Sequence, residues 1–520
     1  MKKCSFNKRY HFFIVCSLLC AFLCSSCSKK LDIDPLGSTL TEESIQALVK
    51  KNPDQVLQPM LTSMVSAING YTYVNSVDSK NLSVINMLLD LKGNDMILAN
   101  RNGGWLVDDY ELRAYREQNT SRVAIYWNTF YKYIFYANQI LSLIPPNVDL
   151  SVANGTNEKI MMYKAAALTV RAFSYTYLMW LYQDDYLSGG KDKLGVPLHL
   201  DNNNPLMDRA SSQEVWNQIV ADATDAIQLF KTSGYYMTND RTDIDGTVAS
   251  VVLARAALTM GDWTTAIKAA SEVIEKYPTL MNEQQYTSSG MTILDNEAIF
   301  GYKVDATTSK GQGSFPGWMN PYGEGGYGGS QGAWMAIDQR LYDKIPVTDY
   351  RKKNFVQGDY IVITYPSSGS SLNYPKYNSL KFAAGIVTGQ TTAYYQNEIY
   401  MRSSEMLLLK AEAEVRSGDD EAAKQTLYQL ASKRDAGYML SAKKGNDLLA
   451  EIQLQRRIEL WGEGGFEFYD NKRWNISVDR NSSPNHLYKS TILVPQKDFT
   501  FQIPLESELL LNPAIKTQNP

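Results

Sequence analysis

SRVAIYWNTFYKYIFYANQILSLIPP, residues 121–146, decides the fold class. Val123, Trp127, Phe130, Ile134, Ala137, Leu141 and Ile144 fall at alternating steps of four and three, the spacing that lines one side of an α-helix. Pro145-Pro146 then removes two backbone donors and stops the run. Tyr163, Ala166, Val170, Phe173, Tyr177 and Trp180 repeat the stripe, so the two stretches read as an antiparallel helical hairpin.

Outward from this hairpin, the period recurs at Val215, Ile219, Ala223, Ala226 and Phe230. It returns at Trp263, Ile267, Ala270, Ile274 and Tyr277, and again between Arg402 and Trp461. From about residue 278 to 398 the chain is instead rich in Gly, Ser, Tyr and Pro, with short strand-like pieces at 298–304 and 360–365. The expectation is a mainly α fold, with helical hairpins over about 121–277 and 400–461 and a loop-rich, short-stranded ligand-binding region inserted over about 278–398.

GDWTTAIKAASEVIEKYP (261–278) and GDDEAAKQTLYQLASKRDAG (418–437) form a weak internal repeat. Each Gly-Asp closes one helix and opens another. Ala266 matches Ala423, and Ala270 with Val273 matches Leu427 with Leu430. Small residues at these steps let two helices approach closely, as in the second half of a tetratricopeptide repeat. The closing proline is present as Pro278 and replaced by Asp435.

The N-terminus reads differently. MKKCSFNKRY carries four positive charges and no negative one, and runs into an apolar stretch from Phe12 to Cys24. At about 1.5 Å per residue that stretch is too short to span a bilayer, so residues 1–26 read as a signal peptide. Leu23-Cys24-Ser25-Ser26-Cys27 places small residues before a cysteine, which makes Cys27 the expected lipidated N-terminus and 27–40 a polar tether. All five cysteines fall in the first 27 residues, so the mature chain holds one. That excludes an internal disulfide and a cysteine-based zinc site. Without residues 1–26 the chain has 47 basic and 55 acidic residues, net −8, which argues against nucleic acid as a partner.

Three further segments carry a family likeness: RAFSYTYLMWLYQDD (171–185), MRSSEMLLLKAEAEVRSGD (401–419) with LQRRIELWGEGGFEFYDNKRW (454–474), and the ending IPLESELLLNPAIKTQNP (503–520). In this order, behind a lipoprotein signal, they resemble the SusD/RagB family of outer-membrane nutrient-binding lipoproteins. The resemblance implies a SusD-like nutrient-binding domain over 41–520. It implies no enzymatic activity, no cofactor, and capture of a glycan for delivery to a SusC-like TonB-dependent transporter. Some relatives handle peptides, so peptide capture is one alternative, and a transporter-associated scaffold without its own ligand is another. The implied location is the cell outer membrane, lipid-anchored on the outer surface. Ser28-Lys29-Lys30 lacks the acidic residues that often follow the lipidated cysteine of surface-exposed relatives, which leaves the periplasmic face open.

By their spacing alone the same motifs are structural. Arg402 and Glu405 stand three apart on one expected helix and can pair. Glu459, Glu463 and Glu467 share a face with Arg456 if helical, although Gly462, Gly464 and Gly465 oppose helix beyond Trp461.

Reaction chemistry has little support. The carboxylates of WGEGGFEFYD form a glycosidase pair only if held ~5–9.5 Å apart in an open cleft. His199 and His486 lack a third partner for zinc, and no G-x-S-x-G elbow accompanies either. Gly323 to Gly328 matches G-x-G-x-x-G, but without the strand before it and the helix after it that phosphate binding needs. Asp243-Ile-Asp245-Gly246 is similar to the start of a calcium loop. Arg241 stands where its first acid belongs and Val252 where its last does, so it reads as a turn before a helix at Val248, with a structural calcium ion as the alternative.

Ligand contacts are expected from aromatic rings in flexible segments. Gly311 to Trp334 has nine glycines in its first 22 residues, and carries Phe315, Trp318, Tyr322, Tyr327 and Trp334 in what reads as a surface loop. Flat ring faces suit the C–H faces of sugars. Trp105, following Asn102-Gly103-Gly104, is the leading single candidate because an amide and a ring stand together, and Tyr71 and Tyr73 are further candidates. We expect Cys27→Ala to abolish incorporation of radiolabelled palmitate and to release the protein from the membrane fraction.

Overall fold

The computed structural model describes residues 41–70, 81–100, 104–112, 116–288, 290–295, 297–305, 307–383, 395–489 and 492–520. Cys27 and its tether, Tyr71, Tyr73 and Asn102 lie outside the described residues. Helices α1 (Glu42–Lys51), α2 (Pro53–Asn69) and α3 (Leu82–Asp90) lead into α4 (Ser121–Leu143) and α5 (Gly155–Tyr182), the two striped segments. At the end of α5 the Tyr182 hydroxyl donates to the Val123 carbonyl at the start of α4, and Phe130 stacks on Tyr177 with centroids 4.8 Å apart, so the pair is antiparallel.

Helices α6 (Ser212–Ser233), α7 (Gly246–Met260) and α8 (Trp263–Lys276) extend the array, each packed on its predecessor. A capping box between Ser211 and Glu214 starts α6 by satisfying two orphan backbone donors. After the loop-rich excursion, α9 (Ser403–Arg416) packs on α8, and α10 (Asp420–Arg434) and α11 (Gly445–Glu459) pack on α9. The array is thus continuous in space though interrupted in sequence. A further helix, α12 (Phe466–Trp474), returns to α3.

The repeat has its expected geometry. Gly261 (φ 78°) and Gly418 (φ 92°) take the left-handed conformation that L side chains disfavour. Asp262 and Asp419 then cap α8 and α10 by accepting from the Thr265 and Ala422 N–H groups at 3.1 and 3.0 Å. Ala266, Ala270, Val273, Ala423, Leu427 and Leu430 are all buried in the helix contacts.

Among the described residues the strands are short and paired in twos: β1 (Met96–Leu98) with β5 (Met335–Ile337), β2 (Leu194–Pro197) with β3 (Arg209–Ser211), β4 (Ala298–Tyr302) with β8 (Glu398–Arg402), and β6 (Tyr360–Thr364) with β7 (Ser371–Pro375). All four pairs are antiparallel. The β4–β8 ladder joins the beginning and end of the excursion. The β1–β5 ladder ties the segment before Trp105 to the end of the glycine-rich stretch.

Two ion-pair expectations are corrected. Arg402 stands at the extended residue before α9, so the helical three-residue step to Glu405 does not apply, and Glu405 instead pairs with Arg255 at 2.7 and 2.8 Å. Helix α11 ends at Glu459 because Gly462, Gly464 and Gly465 sit at φ 72°, 63° and 71°. Glu459 and Glu463 therefore turn to Arg402 and Glu467 to the Asp95 N–H, while Arg456 pairs with Asp470 at 2.7 Å.

Arg402 enters a larger cluster. Its guanidinium meets Glu459 at 2.7 Å, Glu463 at 2.6 Å and Glu297 at 3.4 Å. Arg434 bridges Glu297 at 2.8 Å and Glu459 at 2.9 Å, and Arg351 spans Asp349 at 2.6 Å and Glu459 at 3.0 Å. Lys381 closes the group on Glu463 at 2.5 Å. Four cations thus balance four anions out of solvent. Burial pushes the Glu459 carboxyl up, but Arg434, Arg402 and Arg351 outweigh it and hold the group well below the usual carboxylate range. Removing one partner from such a cluster strands the others. Glu459→Gln is expected to destabilise the protein by about 3–5 kcal/mol, read as a lowered urea midpoint.

Candidate ligand-binding site

Trp105 sits in a tight turn between β1 and the four-residue helix Val107–Tyr110. Gly104 before it (φ 73°) and Leu106 after it (φ 60°) are both left-handed. For leucine that conformation costs roughly 1–2 kcal/mol, which burial of its side chain offsets. The short helix is anchored from below. Buried Asp109 accepts from Lys92 at 2.5 Å and Arg122 at 2.9 Å, and Arg480 lies 4.6 Å from the centre of the Tyr110 ring.

His486 stacks beside Tyr110 with centroids 5.7 Å apart and an interplanar angle of 11°. Its Nε2 is 2.8 Å from the Asn94 carbonyl, which only accepts, so Nε2 carries the proton. Nδ1 then accepts from the Tyr110 hydroxyl at 2.7 Å. Both nitrogens serve the anchor as a neutral ring. Burial, reinforced by Arg480, pushes this imidazole down to about 3.

The Trp105 ring is half-buried and meets Tyr327 edge-on at 4.7 Å and 67°. Tyr327 in turn stacks on Trp318 at 4.3 Å and 14°. Here the expectation of a surface loop with outward rings is corrected: Trp318 is 0 % exposed and Tyr327 7 %. Glycine permits this inward fold, because a Cβ at Gly328 would stand 1.9 Å from the Trp318 carbonyl and one at Gly317 2.1 Å from that of Gln312. Backbone packs on backbone, with Gly328 N–H donating to the Gly317 carbonyl at 2.9 Å, and large rings gain more by burial than by display. The same stretch also forms a five-residue helix, Phe315–Met319, capped by Ser314.

Tyr322 and Trp334 are half-buried in a separate cluster with Val356, Ile363, Tyr365 and Tyr374 beneath the β6–β7 hairpin. The Trp334 indole N–H donates to the Gly329 carbonyl at 3.1 Å, and its ring meets Tyr374 edge-on at 5.3 Å. Glu324 accepts from the Ser367 and Ser368 N–H groups at 3.0 and 2.7 Å, fastening the hairpin to the glycine-rich stretch. Tyr360 and Val362, 53 % and 60 % exposed on the outer face of β6, are surface residues that the sequence reading passed over. Their two-residue alternation with buried Ile363 and Tyr365 was the available signal.

Trp105, Tyr327 and Trp318 thus come together as one stack, with Trp105 its half-exposed end, while Tyr322 and Trp334 belong elsewhere. The acids of WGEGGFEFYD are tied to structural partners: Glu463 to Arg402 and Lys381, Glu467 to the Asn94 and Asp95 N–H groups, Asp470 to Arg456 and Arg473. Asp245 caps α7, which begins at Gly246 rather than at Val248, accepting from the Thr247 and Val248 N–H groups at 2.9 and 3.1 Å. Among the described residues no group of three or more His, Cys, Asp or Glu is placed to hold a metal ion, and no helix is long and apolar enough to cross a membrane.

Two family models match the chain: the SusD family over residues 352–508, and a family described as starch-binding, associating with the outer membrane, over residues 51–251. Among solved structures the chain is similar to a SusD-like carbohydrate binding protein from Bacteroides vulgatus, at 22% identity and TM-score 0.74, covering 88% of this chain and 96% of that one. A SusD superfamily protein from Bacteroides thetaiotaomicron matches at 21% identity and TM-score 0.72, with 90% and 99% covered. Surface glycan-binding protein A from Bacteroides fluxus matches at 18% identity and TM-score 0.66, also with 90% and 99% covered. At these identities the structures establish the shared fold. No curated protein matches the chain.

The neutral histidine beneath Trp105 has a consequence in acid. Unfolded, His486 takes a proton near pH 6.5, whereas folded it resists until about 3, so its contribution to stability is intact above 6.5 and lost as pH falls through that window. The expected slope approaches about 1.4 kcal/mol per pH unit. Urea midpoints measured from pH 7 to 4 should fall more steeply for the wild type than for His486→Gln.

Proposed function

The chain belongs to the SusD/RagB family, and from that footing we propose that it is a non-catalytic lipoprotein of the outer membrane, anchored through Cys27, that binds a glycan and passes it to a SusC-like TonB-dependent transporter. Its place is the outer surface. The description of the family model over 51–251 and the names of the similar solved proteins support a glycan as ligand. The observation on this chain that carries the reading is the stack ending at Trp105. A half-exposed indole, fixed by Tyr327 and Trp318 and set on an ion-paired turn, is a rigid platform that loses little freedom on binding. A sugar laid on it meets the negative ring face with polarised C–H groups.

The test is calorimetric titration of the full-length protein, in a detergent without a sugar headgroup, against neutral and acidic oligosaccharides and peptides. At least one glycan should give a saturable signal that Trp105→Ala weakens about tenfold or more, the worth of one stacking contact. Binding of peptides alone would move the assignment to peptide capture. Co-purification of a SusC-like barrel with the tagged protein tests delivery, and its absence would remove that step.

A further inference from the structure

A wide cleft of about 640 Å³ lies between the start of α4 and the C-terminal arm, and none of its lining residues belongs to the Trp105–Tyr327–Trp318 stack. Ser121, Ala124 and Asn128 line one wall at helical steps of three and four, led in by Gln118 and Asn119. Pro504, Glu506, Ser507 and Leu511 line the other.

The walls are pinned together, so the opening is preformed. Leu505 N–H donates to the Gln118 carbonyl at 2.8 Å, and the Trp127 indole N–H on α4 donates to Glu508 of the arm at 3.1 Å. The Asn512 side-chain amide donates to Glu508 at 2.7 Å and to the Met207 carbonyl at 2.9 Å, holding the arm from behind.

The lining selects a chemistry. Amides and hydroxyls dominate, and each amide offers a donor and an acceptor side by side, the pattern that adjacent sugar hydroxyls complement. Among the described residues no lysine or arginine lines the cleft and the one charge there is the exposed Glu506, an arrangement that disfavours phosphate, sulfate and carboxylate ligands. Ala124, Pro504 and Leu511 supply apolar contact for C–H surface. On opposite walls, Asn128 Nδ2 and Ser507 Oγ are buried without a hydrogen-bond partner among the described residues.

We propose that this cleft is a second saccharide site, which takes a short run of uncharged sugar units between Asn128 and Ser507 and gives the protein a grip on a glycan separate from the Trp105 platform. The choice of ligand class rests on the glycan reading above. The location rests on the cleft alone.

Titration of the full-length protein, in a detergent without a sugar headgroup, with maltoheptaose, xylohexaose, mannohexaose and laminarihexaose tests it. The variants are Trp105→Ala, Asn128→Leu and Ser121→Trp, the last obstructing the cleft from an exposed first-turn position, with circular dichroism confirming that each folds. For the oligosaccharide bound, we expect two sites in the wild type, one of them weakened about tenfold by Asn128→Leu and by Ser121→Trp and retained in Trp105→Ala. A single site lost in Trp105→Ala and untouched by both cleft variants would overturn the cleft and leave the platform standing. A single site lost only in the cleft variants would establish the cleft and overturn the platform. No binding of any probe to the wild type would overturn both.

Discussion

Arg402, with its neighbours Arg434, Arg351 and Lys381, meets Glu297, Asp349, Glu459 and Glu463 where the helical array, the β4–β8 ladder and the excursion converge. Desolvating eight charges costs more than their attraction returns unless each finds a partner in good geometry. The chain is therefore confined to arrangements in which strand β8, the ends of α10 and α11, the turn at Asp349 and the segment around Lys381 all arrive together. Tyr286 and Tyr350 add ring faces 4.6 and 5.9 Å from the Arg434 guanidinium, so the cluster is walled as well as balanced. Its contribution is specificity of assembly: a wrong register would leave a bare charge in the interior.

The candidate platform hangs from the same motif. Just beyond the cluster, Trp461 donates its indole N–H to the Asp95 carbonyl at 2.9 Å, and Arg457 pairs with the Asp95 carboxylate at 2.5 Å. Glu467 receives the Asn94 and Asp95 N–H groups, and Gly93 is glycine because a Cβ there would stand 2.1 Å from the Glu467 carboxyl carbon. One C-terminal segment therefore clamps the turn that enters β1, and from β1 the chain runs to Trp105. A conformationally costly leucine at 106 is tolerated because what lies beneath it is over-determined by ion pairs and by the His486–Tyr110 contact.

Much of this was legible in residue order because it is local. The stripe from Val123 to Ile144 predicts a buried helix face since 3.6-residue periodicity depends on nothing far away, and Gly261-Asp262 and Gly418-Asp419 announce their turns through left-handed glycine and carboxylate capping. The ring-rich glycine stretch was legible as irregular but not as buried. Whether Trp318 faces water depends on what the Gly317 and Gly328 backbones can approach, and that is a property of packing.

Sequence by itself determined the helical class, the repeat, the exclusion of a disulfide framework and the segments that carry the family likeness, because composition, periodicity and short-range turn chemistry are written in neighbouring residues. Tertiary structure alone decided that Arg402 pairs across 57 and 61 positions rather than with Glu405, that Trp105 rather than Trp318 keeps a half-exposed ring, and that Asn128 faces Ser507 across a cleft. The physical reason is the same in each case. A buried charge, ring or amide is satisfied by whichever group the fold brings within a few ångströms, and separation along the chain carries no record of that distance.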